Sequence, residues 1–369
     1  MKFRVDKKDF QKHLVSVASI VPSKPVVTVI ANIMIEAKDD KLLFSSTDFE
    51  ITMQSEMEAT IDTNGTIVVN AKTISELIKR LPDGMLDFTV EENNLNIDCG
   101  SGHYSLPLTE RDQYVEIVGI DDSKMFSIES LPVVNAIENT LFAVSKDAVK
   151  IAITGVLFEA NGKELAMIGT DGHRLSVYRI KDIFQQTLTK SVIVPPKALN
   201  ILKSLITDKD TFAIGFDEKR IMFKIDETEI SAKLIEGTYP DYKRVIPNDN
   251  NKMMVTDKNK LLDVLNRVNI FTNPNTKLVK LSFGDNKLMV NAYQSQTGEG
   301  TEEMECEYTD EEGFVIGFNN AYLMEIVKKV ETDKLKMKMK TEMSAVIIEN
   351  EENKIGEESI YLIMPLRLK

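Results

Sequence analysis

Asp171 and His173 stand two residues apart in Thr170-Asp171-Gly172-His173-Arg174-Leu175-Ser176, which puts a carboxylate and an imidazole within one turn. Such a pair can ligate a metal ion or relay a proton. Neither use finds the further groups it needs, because the chain has three histidines, His13, His103 and His173, and no clustered His/Cys/Glu spacing. The spacing favours an Asp that stabilises the turn through its side chain and a His that forms a pocket wall. Cys99 and Cys306 lie far apart without a C-x-x-C partner, so they read as reduced thiols in strands, not as a disulfide framework or a zinc site. Phosphate cradles of the G-x-x-x-x-G-K and G-x-G-x-x-G kinds and a G-x-S-x-G nucleophile turn are missing, and Thr297-Gly298-Glu299-Gly300 reads as a loop. The expectation is a protein with no catalytic residue, no metal and no cofactor.

The elements that must hold that turn recur along the chain with a period of about 120 residues. Phe3-Arg4-Val5 reads as a short strand leading into an amphipathic helix with Phe10, Leu14, Val17 and Ala18 on one face. Phe126-Ser127-Ile128 leads in the same way into Leu131, Val134, Ile137 and Leu141, and Met254-Val255 into Leu261, Leu262, Leu265 and Val268. Three alternating, strand-like segments follow each helix: 33–37, 41–46 and 50–59, then 155–159, 165–169 and 174–180, then 278–283, 287–292 and 302–308. Each copy then repeats the order, with strands at 66–70, 192–194 and 314–317 before helices at 72–81, 196–205 and 319–330. Pro196 suits a first helical turn, whose amide lacks a partner in any case. Short turns such as Lys38-Asp39-Asp40, Asn161-Gly162 and Gly284-Asp285-Asn286 join the strands, which predicts antiparallel sheets and an α+β class. Each domain is a doubled β-α-β-β-β unit. Polar junctions near 121–124 and 248–252 divide the chain into domains 1–122, 124–247 and 252–369, and the apolar share of 43% is ample to give each a core.

The 58 acidic residues exceed the 45 basic ones, for a net charge of −13. Sequence-independent affinity for nucleic acid comes from neutralising phosphates, so this balance argues against a protein that grips DNA by surface attraction. The basic residues nevertheless gather on predicted helices: Lys72, Lys79 and Arg80 on one, Lys197 and Lys203 on another, Lys328 and Lys329 on a third. Residues 1–9 are charged and no apolar run is long enough for export or membrane spanning, so a cytoplasmic protein is expected.

Three motifs, in order and at matching places in the repeat, resemble the sliding-clamp family of bacterial DNA polymerase III beta subunits. They are the Thr170–Ser176 segment, Gly237-Thr238-Tyr239-Pro240-Asp241-Tyr242-Lys243-Arg244-Val245-Ile246-Pro247, and Tyr361-Leu362-Ile363-Met364-Pro365-Leu366-Arg367-Leu368. The resemblance implies three copies of one domain and two chains joined head to tail into a ring, with helices lining a pore and sheets outside. It implies double-stranded DNA as a partner held by encirclement, the replicative polymerase, a clamp loader, other proteins with a clamp-binding motif, and a second copy of the chain. Lys24, in the loop after the first helix, matches a DNA-contacting position, while Ile151 and Ala152 replace aromatic residues that some members present to DNA. Contact with DNA is therefore expected to be phosphate-directed and free of base preference.

At the joint between chains, the resemblance pairs strand 101–106 with strand 302–306, places Ile270 and Phe271 there, and sets His103 opposite Glu302 or Glu303. The three motifs converge, by the same resemblance, on a groove for short partner peptides. Its apolar walls would be Ile153, Leu175, Pro240, Val245, Leu362, Met364, Pro365 and Leu366. Thr170, Gly172, His173, Arg174 and Arg244 would be its polar and backbone fittings, with Met343 at the rim. The alternative expectation is a modular adaptor that uses the groove without encircling DNA.

Overall fold

The structure is a computed structural model and describes residues 1–115, 125–310 and 313–368. The junction expected at 121–124, and with it the boundary between residues 122 and 124, lies outside these residues.

Strand Lys2–Asp6 ends in a residue that starts the next element: Asp6 is extended, and its side chain accepts from the amides of Lys8 and Asp9 at the head of helix α1, Lys7–Ala18. A short acceptor at this place satisfies amides that have no partner inside the helix. The device recurs with Asn70 before α2 (Ala71–Arg80), and the central repeat supplies α3 (Ser130–Thr140) and α4 (Pro196–Ile206). It returns with Asp257 before α5 (Lys258–Val268) and Asn319 before α6 (Asn320–Lys329). Each of these helices carries one apolar face, for example Phe10, Leu14 and Val17 on α1 and Leu261, Leu265 and Val268 on α5, all buried.

Contacts group the chain into two compact units, residues 1–131 with 197–234 and residues 132–196 with 235–369. The first contains a 13-stranded antiparallel sheet in which Ile51–Glu58 pairs with Thr228–Lys233, Met53 opposite Ile230. The second contains a nine-stranded sheet in which Arg174–Ile180 pairs with Glu357–Ile363, Leu175 opposite Leu362. It also contains a four-stranded sheet in the order Gly298–Glu305, Lys287–Gln294, Leu278–Gly284, Phe314–Asn319. α5 and α6 cover that sheet, burying Leu265, Ile326 and Val327 with Val279, Leu281 and Phe318. The strands of the central repeat are shared out: Met125–Glu129, Thr211–Phe216, Arg220–Ile225 and Thr228–Lys233 join the first unit, and the other four join the second. Backbone pairing at strand edges, not sequence period, decides the compact grouping.

Two local expectations are corrected. The strand expected at 302–308 is broken at Cys306 into Gly298–Glu305 and Glu307–Tyr308, because the Cys306 amide turns to the Asn286 carbonyl and the Tyr308 amide to the Asn286 side chain. Cys306 is thus a buried thiol between strands, and burial pushes its pKa up to about 11. The supposed Thr297–Gly300 loop supplies the first residues of the same strand. Gly300 is required there, since a Cβ would lie 2.3 Å from the Phe271 ring.

Candidate functional site

The turn singled out by its Asp and His is closed by side-chain to backbone bonds. Asp171 Oδ1 accepts from the amides of His173 (2.8 Å) and Arg174 (3.0 Å), the Gly172 amide donates to Thr170 Oγ1 (3.1 Å), and the Thr170 hydroxyl donates to the Arg174 carbonyl (2.6 Å). Gly172 sits at φ +88°, a left-handed conformation that costs glycine little. Asp171 Oδ2 takes the Arg174 Nε at 3.1 Å, so both oxygens of this carboxylate serve the turn.

Arg174, expected among the polar groove fittings, is nearly buried. Only 8% of its side chain is exposed, its guanidinium lies 4.4 Å from the Tyr322 ring centre and 5.2 Å from that of Phe142, and it bonds to the Phe142 carbonyl (2.8 Å), Asp171 and Glu325. These bonds tie the turn to α6 and to the Phe142 segment. Removal of Arg174 leaves Asp171, itself nearly buried, without its cation, and deleting one partner of a buried pair costs on the order of 3 kcal/mol or more. We expect Arg174→Ala to lower the denaturation midpoint accordingly; a midpoint equal to that of the unaltered chain would contradict this role. Phe142, Tyr322 and Glu325 escaped the sequence reading. The one signal was the three-residue spacing of Tyr322 and Glu325, which puts both on one face of α6.

Leu175 and Leu362 form a buried cross-strand pair, each 3% exposed, packed with Tyr242, Ile168 and Ile347. Ile153 is buried in the 3-10 turn Ile151–Thr154. Of the other apolar residues expected at the groove, Val245 and Met343 are each 53% exposed and Met364 40%. Two tyrosines moor segment 237–247. The Tyr239 hydroxyl donates to the Ile168 carbonyl (3.1 Å) and that of Tyr242 to Glu159 (2.6 Å), leaving Pro240 exposed and Arg244 on the surface, paired with Asp241 (2.7 Å). Burial raises both phenols above their usual range, so both keep the proton they donate. His173 stacks on Tyr322 with ring centres 6.3 Å apart.

The C-terminal tail is pinned twice. The Met364 amide donates to the His173 carbonyl (2.8 Å) and the Leu366 amide to the Gly317 carbonyl (2.7 Å), with Pro365 between. Gly317 is needed for this approach, because a Cβ would come within 2.7 Å of Leu368 and 3.0 Å of the Leu366 carbonyl oxygen. Leu366, expected as a groove wall, is seated on strand Phe314–Asn319 and lines a hollow on that sheet.

The same turn exists in the first unit at Thr47-Asp48-Phe49-Glu50-Ile51. Asp48 Oδ1 accepts from the amides of Glu50 (3.0 Å) and Ile51 (2.7 Å), the Phe49 amide donates to Thr47 Oγ1 (3.0 Å), and the Thr47 hydroxyl donates to the Ile51 carbonyl (2.9 Å). Even the mooring bonds match: the Lys233 amide donates to the Glu50 carbonyl (2.8 Å), and the Tyr114 hydroxyl to that of Ser45 (3.2 Å). Two things differ. Phe49 takes the left-handed position at φ +73°, a strained conformation for a bulky side chain, and Thr52 opposite Ser231 replaces Leu175 opposite Leu362. The turn belongs to the fold, and the apolar floor distinguishes the groove.

Of the expected DNA-facing residues, Lys24 is exposed after α1, and Lys72, Lys79 and Arg80 are exposed on α2, with Arg80 3.9 Å from Glu76. Lys203 is half-buried. Lys197 is exposed on α4; its ammonium donates to the Ile20 carbonyl (3.0 Å) and pairs with Asp48, which ties α4 to the turn just described. Lys12 is likewise exposed, on α1 opposite Phe10 and Leu14.

Both expected joint strands are edges. Among the described residues, Gly102–Thr109 pairs with Asn94–Cys99 along one side and only through Leu108 and Thr109 on the other, while Gly298–Glu305 pairs only with Lys287–Gln294. Ile270 is 69% exposed, and Phe271 packs beneath Gly300. The acids and the histidine already have partners within the chain: Glu302 with Arg267 (2.7 and 2.6 Å), Glu303 with Lys287 (2.7 Å), His103 with Asp98 (2.7 Å).

Comparison with known proteins gives these features a setting. The chain matches the DNA polymerase III beta subunit family in three successive parts, the N-terminal domain over residues 1–117, the central domain over 127–241 and the C-terminal domain over 243–367. It is 26% identical to the beta sliding clamp of Haemophilus influenzae over 371 residues and 27% identical to that of Pseudomonas aeruginosa over 372, all of each chain being covered in both cases. Crystal structures of the Pseudomonas aeruginosa DNA polymerase III subunit beta, one of them bound to griselimycin, superpose at a TM-score of 0.93 with 27% identity and full coverage of both chains. The α+β, three-domain clamp architecture and the match along the whole length agree, and the chain belongs to the DNA polymerase III beta subunit family, the beta sliding clamps.

Proposed function

We propose that the chain is a non-catalytic processivity factor that tethers the replicative DNA polymerase to duplex DNA. The observation that carries this reading is the apolar floor of Leu175 and Leu362 beneath an open rim of Val245, Met343 and Met364, set in a chain of net charge −13. Such a molecule has a strong place to hold a protein and a poor surface for holding DNA. Holding DNA by encirclement resolves the conflict, because a closed ring need not attract what it surrounds. Two chains, joined head to tail through the open edges Gly102–Thr109 and Gly298–Glu305 with Ile270 and Phe271 beside them, would form that ring by a heterologous contact that closes. Exposed Lys24, Lys72, Lys79 and Arg80 would line it and keep contact with phosphates weak and indifferent to sequence.

The groove takes an extended peptide with a polar start and a Leu-Phe-like end, borne by the polymerase, by the clamp loader that opens the ring, and by other proteins carrying the motif. The flexible thioethers of Met343 and Met364 suit several such ligands. The site of action is the cytoplasm, where the chromosome is copied.

Solution mass tests the assembly: we expect twice the 41.6 kDa of one chain at micromolar concentration, with one peptide bound per chain. A single-chain mass with peptide still bound would replace the ring with an adaptor.

A further inference from the structure

The tail that walls the groove has a second side. There it borders a hollow of about 620 Å³ on the outer face of the four-stranded sheet, floored by Leu278 and Lys280 from one strand and Asn291 and Tyr293 from the next, with Leu366 and Arg367 of the tail as its wall. Strand alternation explains the face, since Val279 and Leu281 point into the core and leave their neighbours outward. Tyr293 is 66% exposed, and Lys280 and Arg367 are exposed cations in no ion pair among the described residues. Together they place two cations beside apolar surface on a chain with 13 more acidic than basic residues.

We propose that this hollow is a second docking surface for the partner that occupies the groove, and that it takes an acidic segment with one apolar side chain, lying next to the groove-binding motif in the same partner chain. The inference rests on the groove reading. Two observations select this occupant. The cations complement carboxylates while Tyr293 and Leu366 offer an apolar seat, and the tail segment pinned beside the His173 turn at Met364 enters the hollow at Leu366. The two pins of that tail, at the His173 and Gly317 carbonyls, are only two residues apart, which is about 7 Å of extended chain. A peptide leaving the groove therefore reaches the hollow within a few residues, and the second contact is made at high effective concentration. The tail serves as a shared wall: Met364 faces one ligand segment and Leu366 the other.

The test uses the full-length dimer and synthetic peptides in fluorescence-polarisation titrations. One peptide carries the groove motif alone. Others extend it at either end by four residues, with two Glu and one Leu, or with Gln in place of Glu. We expect one acidic extension to bind about tenfold more tightly than the bare motif, its Gln counterpart to lose most of that gain, and Lys280→Glu or Tyr293→Ala to remove the gain while leaving the bare motif's affinity unchanged. If neither acidic extension adds affinity, or if the gain persists in Lys280→Glu, the hollow is not a docking surface. If the bare motif itself does not bind, the groove reading fails first and takes this inference with it.

Discussion

We expect removal of residues 364–369 to reduce the affinity for a polymerase tail peptide by about a hundredfold or more while the dimer persists. A large loss is expected because, on the proposed reading, Met364 and Pro365 would form one side of the space that takes a Leu-Phe end, and anchors of this kind carry roughly 2–4 kcal/mol each. Folding survives because strand Glu357–Ile363 stays complete, still paired with Arg174–Ile180 on one side and Val346–Asn350 on the other. A subtler variant isolates the floor. Leu175→Thr with Leu362→Ser copies the Thr52 and Ser231 pair that occupies the same cross-strand position in the first unit, a combination this fold already accepts. It should lose peptide binding to a similar extent, at a stability cost set by two lost apolar side chains, about 2–5 kcal/mol each. Peptide affinity unchanged in both variants, measured by calorimetric titration, would reject the groove.

The period of the chain was legible because each repeat sets a short strand directly before an amphipathic helix. In the first and third repeats the strand ends in Asp or Asn, at Asp6, Asn70, Asp257 and Asn319, and local capping needs no knowledge of distant contacts. What stayed hidden depends on residues far apart in sequence. Cys306 ends its strand because Asn286, twenty residues earlier, supplies a competing carbonyl, and Gly300 is a strand residue because Phe271 lies against it.

The site divides in the same way. Its motif was visible, and so was the apolar character of Leu175, Leu362 and Met364. The partners of Arg174 were not, since Tyr322, Phe142 and Glu325 lie far from it in sequence. Those of Lys197 were hidden for the same reason, Asp48 and the Ile20 carbonyl being likewise distant along the chain. The kinship of Thr47–Ile51 with Thr170–Arg174 was obscured by Phe49, because glycine is the residue a left-handed position normally announces.

Retention on DNA after a change of topology follows from the acidic balance of the chain and is the second large effect. Once a loader has placed the protein on a nicked circular plasmid, we expect a salt challenge near 0.5 M to leave most of it bound, because screening weakens phosphate contacts but cannot open a closed ring. Cutting the plasmid once should then release nearly all of it, as free ends let the protein slide off, and blocking both ends with bulky proteins should restore retention. The decisive measurement is the fraction of loaded protein that co-elutes with DNA by gel filtration before and after linearisation. The account predicts stable retention on the circle and near-complete loss from the line. Equal retention on both, or loss from the circle in salt alone, would mean that surface attraction holds this protein to DNA.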